Sequence, residues 1–119
     1  MCSILVIDDD PAAAKLLELA LARDGHRVEV ARDVSSGRQA VRAGGHDLLI
    51  LDVFMPDGSG LDLLRYLRGD LGSAIPVLVV TGHRQEDFLA RAEAAGATGY
   101  FTKPFSLQKL LAEVARLTG

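Results

Sequence analysis

The sequence predicts an α/β layer sandwich, in which five short strands form one parallel sheet and five helices cover both of its faces. Two observations lead there. Short aliphatic runs recur along the chain, at 4–7, 48–51 and 77–80, each bounded by turn or cap residues, which is how strands buried on both faces read. Between the runs lie stretches with helical spacing of apolar residues. Parallel neighbours need such crossovers, because a tight turn cannot join them.

Each element has a local reason. The first strand is the run 4–7. Pro11 at a first helical position, with Asp10 as N-cap, opens a helix to about Arg23. Leu16, Leu17 and Ala20 are expected on its apolar stripe, and Gly25 stops it. Val28 and Val30 alternate with Arg27 and Glu29, the pattern of a more exposed strand. A second helix spans 33–43 and stops at Gly44-Gly45. The third strand is 47–51, followed by a loop over 53–60 rich in Pro, Gly, Asp and Ser, and by a helix from Leu61 to about Arg68. Pro76 opens the fourth strand, which runs to Val80. Glu86 and Asp87 suit the first turn of a fourth helix, where acids complement its dipole. Phe88, Leu89, Ala92 and Ala95 form that helix's buried face, and Gly96 stops it. A fifth strand covers 98–102. In the last helix Ser106 is the N-cap, and Leu107, Leu110, Leu111, Val114 and Leu117 share one face.

The 119 residues are 49% apolar and 24% charged. A chain of this length buries roughly two-thirds of its unfolded surface, and the balance is that of a globular protein. It reads as a single domain over 1–119, without low-complexity tracts or sequence repeats. The 13 Lys plus Arg against 16 Asp plus Glu leave a net charge of −3, so no basic footprint points to direct nucleic-acid binding or to a membrane surface. Asp8, Asp9 and Asp10 interrupt the N-terminus before a signal peptide could build its apolar stretch. The longest aliphatic runs fall far short of the ~20 residues that span a bilayer. A cytoplasmic location is expected. The single cysteine, Cys2, excludes an internal disulfide framework and a thiolate metal cluster. It reads as a small buried hydrophobe of the first strand.

All strands of a parallel sheet open their C-terminal ends onto one edge, where ligands bind. The residues just past each strand therefore locate a site. The first strand ends in Asp8-Asp9, the third in Asp52, the fourth in Thr81, and the fifth leads into Lys103. Singly each has a plain reading: a loop acid, a strand-end hydroxyl, a solvated charge. Asp10 is best read as a turn and cap residue, since Pro follows it. Together they are harder to dismiss. Three converging carboxylates repel one another unless something positive sits between them. Lys103 supplies one charge, and a divalent cation with oxygen ligands completes the balance, Mg²⁺ in preference to a calcium cage. His26, His46 and His83 are scattered and lack thiol partners, so zinc has no comparable ligand set. An Asp beside Mg²⁺, a hydroxyl and a Lys is the equipment for receiving a phosphoryl group as an aspartyl phosphate.

The strings ILVIDDDP, LLILDVFMPDGSG, VLVVTG and YFTKPF, in this order and spacing, resemble the receiver domain of two-component response regulators over essentially the whole chain. The resemblance implies a flavodoxin-like, doubly wound sheet of order 2-1-3-4-5. It implies that Asp52 is the phospho-acceptor and that Asp8, Asp9 and Asp52 hold Mg²⁺, with the backbone carbonyl of Phe54 as a further ligand. Thr81 would be the switch hydroxyl, Lys103 the phosphate-contacting lysine and Tyr100 the aromatic switch, with Lys103-Pro104 a cis peptide. The phosphodonor would be a histidine kinase or phosphotransfer protein, and an output protein or domain would be reached through the face of the fourth helix, fifth strand and fifth helix. Enzymatic activity would be confined to Mg²⁺-dependent self-phosphorylation and autodephosphorylation. Such a switch agrees with the residues: new charge on Asp52 draws Thr81 and Lys103, and Tyr100 follows.

Two other classes fit less well. An aspartate-nucleophile phosphohydrolase of the haloacid-dehalogenase type places a second Asp two residues after the nucleophile, where this chain has Phe54. A flavin-binding flavodoxin needs Ser, Thr and Gly in its first loop, where Asp8, Asp9 and Asp10 would repel phosphate. A receiver that is never phosphorylated would be expected to lack part of this site. The chain reaches residue 119 without an output domain, as a stand-alone receiver or as part of a longer regulator. The Thr98-Gly99 pair lacks the acids that DNA-binding regulators often carry there for dimer salt bridges. His83, two residues after Thr81, is a second individual rim position.

Bulky Phe54 near the acceptor is expected to restrict water and prolong the phosphorylated state. Phe54→Asn should shorten the half-life of the phosphoprotein followed by intact mass, and an unchanged or longer half-life would refute this role.

Overall fold

A strand that is apolar on both faces must be covered on both, so the three aliphatic runs belong in the middle of the sheet and the alternating strand at its edge. The computed structural model describes residues 2–52, 54–55, 58–82 and 86–118, with the backbone alone for 54–55, 58–59 and 86–89. Its main sheet contains β1 (Ser3–Ile7), β2 (Arg27–Ala31), β3 (Leu48–Asp52), β4 (Val77–Thr81) and β5 (Gly99–Thr102). The helices are α1 (Pro11–Arg23), α2 (Val34–Ala43), α3 (Gly60–Arg65), α4 (Glu86–Ala94) and α5 (Leu107–Thr118). The strand order is β2-β1-β3-β4-β5 and every pairing is parallel. This is the doubly wound, flavodoxin-like order 2-1-3-4-5. Every residue of β3 and β4 is buried, whereas Arg27 and Glu29 of β2 are exposed at the edge.

Period-two alternation divides the central strands between two cores. Ile4, Val6, Leu48, Ile50, Leu78 and Val80 pack against Leu17 and Leu21 of α1 and Leu110 and Val114 of α5. On the other face Leu5, Ile7, Leu49, Leu51, Val77 and Val79 pack against Val41 of α2, Leu61, Leu63 and Leu64 of α3, and Ala92 of α4. Each buried aliphatic side chain of this size contributes roughly 1.5–3 kcal/mol, so the two cores drive the fold.

The caps follow from their side chains. The Asp10 carboxylate accepts the Ala12 N–H at 3.0 Å, that of Asp33 accepts the Ser36 N–H at 2.7 Å, and the Ser106 hydroxyl accepts the Lys109 N–H at 3.2 Å. Gly25, with φ at 91°, and Gly44, with φ at 76°, end α1 and α2 in backbone conformations that disfavour other residues.

Several expectations need correction. Leu16 is 49% exposed; the buried stripe of α1 is Ala14, Leu17 and Leu21, because a residue adjacent to Leu17 is rotated ~100° away from its face. Asp47 precedes β3 rather than opening it: its N–H donates to the Ser3 carbonyl at 2.6 Å and its carboxylate accepts the Ser3 N–H at 2.8 Å. Asp52, expected just past β3, is its last residue. Thr98 likewise precedes β5, and its hydroxyl accepts the Val77 N–H at 2.9 Å. Cys2 lies just before β1, half-buried, with its thiol toward the Thr118 carbonyl at 3.7 Å. Part of the expected loop forms a small antiparallel hairpin, Phe54–Met55 against Gly58–Ser59; positions 53, 56 and 57 lie outside the described residues. The expected burial of Phe88 and Leu89 also falls outside the described side chains, while Ala92 and Ala95 are buried.

The third helix does not stop near Arg68 but widens into a π turn over Tyr66–Asp70. The turn closes with the Leu71 N–H on the Tyr66 carbonyl at 3.0 Å. Arg68 leaves it to donate to three carbonyls, Gly96 at 3.0 Å, Ser73 at 3.0 Å and Ile75 at 2.6 Å. This guanidinium ties the ends of α3 and α4 together, and burial holds its pKa below the ordinary arginine value.

Gly37 lets α2 lie close on the sheet: a Cβ there would sit 2.9 Å from Ile7 Cδ1 and 3.2 Å from Leu63 Cδ2. Overpacking of this kind costs about 1–3 kcal/mol, which exceeds the ~0.5–1 kcal/mol that Ala gains over Gly in a helix. Gly37→Ala should therefore lower stability in urea unfolding by about 1 kcal/mol. Gly69→Ala, where nothing lies within 4 Å of an added Cβ, should not.

Candidate functional site

The ladder itself carries the predicted residues to one edge. Asp52 ends β3 in register with Val80, and Thr81 ends β4 opposite Thr102. Lys103 follows β5 directly, and its N–H donates to the Thr81 carbonyl at 2.7 Å. Asp8 follows β1, with its N–H on the Ala31 carbonyl at 3.1 Å. Main-chain hydrogen bonds thus fix where each side chain starts, so the site belongs to the sheet and not to free loops.

Polar groups lie unusually deep at this edge. Asp8 is 2% exposed, Asp52 6% and Thr81 0%; Asp9 is the most open of the three acids. Carboxylate oxygens of Asp8, Asp9 and Asp52 all lie within 4.8 Å of one another. Lys103 Nζ donates to Asp8 Oδ2 at 3.1 Å and to Asp52 Oδ2 at 3.2 Å. Burial alone would pull the ammonium's pKa down, but the charge of Asp52 and the hydrogen bond and charge of Asp8 outweigh it and hold the pKa above the ordinary lysine value. The Lys103-Pro104 peptide is cis, as the resemblance implies.

Three carboxylates against one ammonium leave the cluster with an excess of negative charge. All of these acid donors are hard oxygens, so the cluster could hold a divalent cation. His26 and His46 lie elsewhere, just before β2 and β3 at the opposite edge of the sheet. His46 Nε2 is 2.8 Å from Glu29 Oε1. Tyr100 stands in β5 opposite Val79, 47% exposed and outside the acid cluster. The Phe54 backbone opens the hairpin two residues after Asp52, while its side chain and all of His83 lie outside what the structure describes.

One participant went unforeseen. The Asp10 backbone N–H donates to Asp8 Oδ1 at 3.0 Å, so Asp8 is held at both oxygens. The sequence signal was there in the acid-x-acid-Pro spacing, which favours a side chain closing a turn on the backbone two residues on.

The family model of the response regulator receiver domain matches residues 4–115. The response regulator MprA of Mycobacterium tuberculosis is 39% identical over 114 residues, covering 96% of this chain and 49% of that protein. The probable transcriptional regulatory protein TcrX of the same organism is 36% identical over 115 residues, covering 97% of this chain and 49% of that protein. The chain thus spans about half the length of these curated relatives. Among solved structures, the receiver domain of the Francisella response regulator 1452 superposes with a TM-score of 0.92 at 26% identity, covering 98% of this chain and 96% of that one.

Lys103 neutralises two carboxylates that burial would otherwise penalise. Lys103→Met should lower stability by about 3 kcal/mol without divalent cation, as expected when one partner of a buried charge group is removed. Added MgCl₂ should recover most of that loss and stabilise the variant more than the wild type in urea unfolding. A variant as stable as the wild type would refute the neutralising role.

Proposed function

This chain belongs to the response regulator receiver domain family, and we propose that it works as a phosphorylation-controlled switch with Asp52 as the phospho-acceptor, over a single domain covering 1–119. The observation that carries this reading is the bridge from Lys103 to Asp52 and Asp8, with Asp9 beside them, at the C-terminal edge of a parallel sheet. Asp8, Asp9 and Asp52 are the residues to hold Mg²⁺, with the Phe54 carbonyl as a further ligand. When bound, Mg²⁺ supplies charge neutralisation for the transferred phosphoryl oxygens.

The chain's own groups account for the rest. An Asp52 carboxylate oxygen attacks the phosphorus of a phosphohistidine on a histidine kinase or phosphotransfer protein. The P–O bond forms as the P–N bond breaks, and the electron pair leaves with the imidazole. The Lys103 ammonium, already 3.2 Å from Asp52, turns to the new phosphoryl oxygens, and the Thr81 hydroxyl orients another of them. Attack by water on that phosphorus later breaks the P–O bond to Asp52, releasing inorganic phosphate and returning the free carboxylate. These two self-reactions are its only chemistry.

The output follows from the links behind these groups. Lys103 is bonded through its N–H to Thr81, so motion of either is shared by β4 and β5. Tyr100 swings inward in the phosphorylated state, and the face of α4, β5 and α5 changes shape for an output protein or domain. Tyr100, Thr102, Pro104, Phe105 and Lys109 line a hollow of about 290 Å³ on that face. The receiver itself binds no nucleic acid, and it acts in the cytoplasm. Among the described residues no helix is long and apolar enough to cross a membrane.

Incubation with acetyl phosphate and MgCl₂ should add one phosphoryl group by intact mass. The gain should vanish in Asp52→Asn and in EDTA. No gain in the wild type, an equal gain in Asp52→Asn, or steady turnover of a phosphatase substrate would refute the switch.

A further inference from the structure

Asp10 stands outside the cluster of carboxylate oxygens, yet each polar group of the residue is engaged. Its Oδ1 accepts the Ala12 N–H at 3.0 Å, its carbonyl accepts the Ala14 N–H at 3.0 Å, and its N–H donates to Asp8 Oδ1 at 3.0 Å. Its backbone is extended, with φ −79° and ψ 111°, the region to which a following proline confines a residue. Residue 10 is thus the joint at which the first turn of α1 meets the carboxylate of Asp8.

We propose that Asp10 is a positioning residue: by capping α1 it fixes the 8–10 turn, whose N–H then holds one oxygen of Asp8 while Lys103 holds the other. The proposal rests on reading Asp8, Asp9 and Asp52 as the cation site. Asp8 is 2% exposed and gripped at both oxygens, so its plane is set before a cation arrives. Loosening the cap lets the turn sample conformations in which Asp8 faces elsewhere, and each must be abandoned on binding. The side chain of Asp10 acts through this geometry and not through its charge, which is solvent-exposed and screened.

The test is titration of the full chain with MgCl₂, followed by amide NMR shifts, in wild type, Asp10→Asn, Asp10→Ser, Asp10→Ala and Asp9→Asn, with each Tm measured alongside. Asp10→Ala, which loses the cap acceptor, should bind Mg²⁺ roughly tenfold more weakly, the low end for an outer partner of a metal ligand. Asp10→Asn and Asp10→Ser retain a capping oxygen and should stay within about twofold of wild type. Asn and Ser variants as weak as the Ala variant would overturn the proposal in favour of charge. An Ala variant with wild-type affinity and a lower Tm would overturn it in favour of helix stability alone. The cation-site reading fails separately, and takes the proposal with it, if the wild type shows no saturable shift or Asp9→Asn binds as the wild type does.

Discussion

Two buried carboxylates sharing one ammonium are the constraint on which this molecule turns. Asp8 and Asp52 are nearly inaccessible, and removal of a carboxylate from water is tolerated only where opposite charge and hydrogen bonds replace the solvent. Lys103 meets that need from a third strand end, and its backbone is bonded to a fourth at Thr81. Four of the five strands are therefore connected at one edge by a single cationic side chain and its peptide N–H. The group that neutralises Asp52 is thus tied through its own backbone to the ends of β4 and β5.

The sheet makes this economical. In a parallel sheet successive strands end side by side, so acids far apart in sequence become neighbours without any long loop to hold them. The central place of β1, β3 and β4 follows from their apolar residues on both faces, and the acids sit at the first positions past this apolar stretch. The transition from aliphatic to acidic is the boundary between core and site.

That transition is also why so much was legible in the sequence. The aliphatic runs and the Gly and Asp caps specify the five strands and five helices, and parallel strands require Asp8, Asp9, Asp52, Thr81 and Lys103 to meet. The less legible features depend on partners remote in the chain. The π turn at Tyr66–Asp70 accompanies an arginine whose three acceptors lie at 73, 75 and 96, and local periodicity carries no trace of them. Leu16 beside Leu17 offers two apolar candidates for one face, and only packing chooses between them. The two-residue strands of the 54–59 hairpin are too short for alternation to show. The grip of residue 10 on Asp8 is a backbone contact, which side-chain inventories overlook.

The division of the sheet into two cores also shapes the surface beside β5. Ala92 of α4 belongs to the core of Leu5 and Val79, while Leu110 and Val114 of α5 belong to that of Ile4 and Val80. The two helices that flank β5 thus rest on opposite sides of one layer of main chain, and the surface between them is a seam where two separately packed halves adjoin. A seam answers to relative displacement, which neither half registers by itself. Substitutions deep in one core can therefore change the shape of this seam while leaving every exposed residue unchanged.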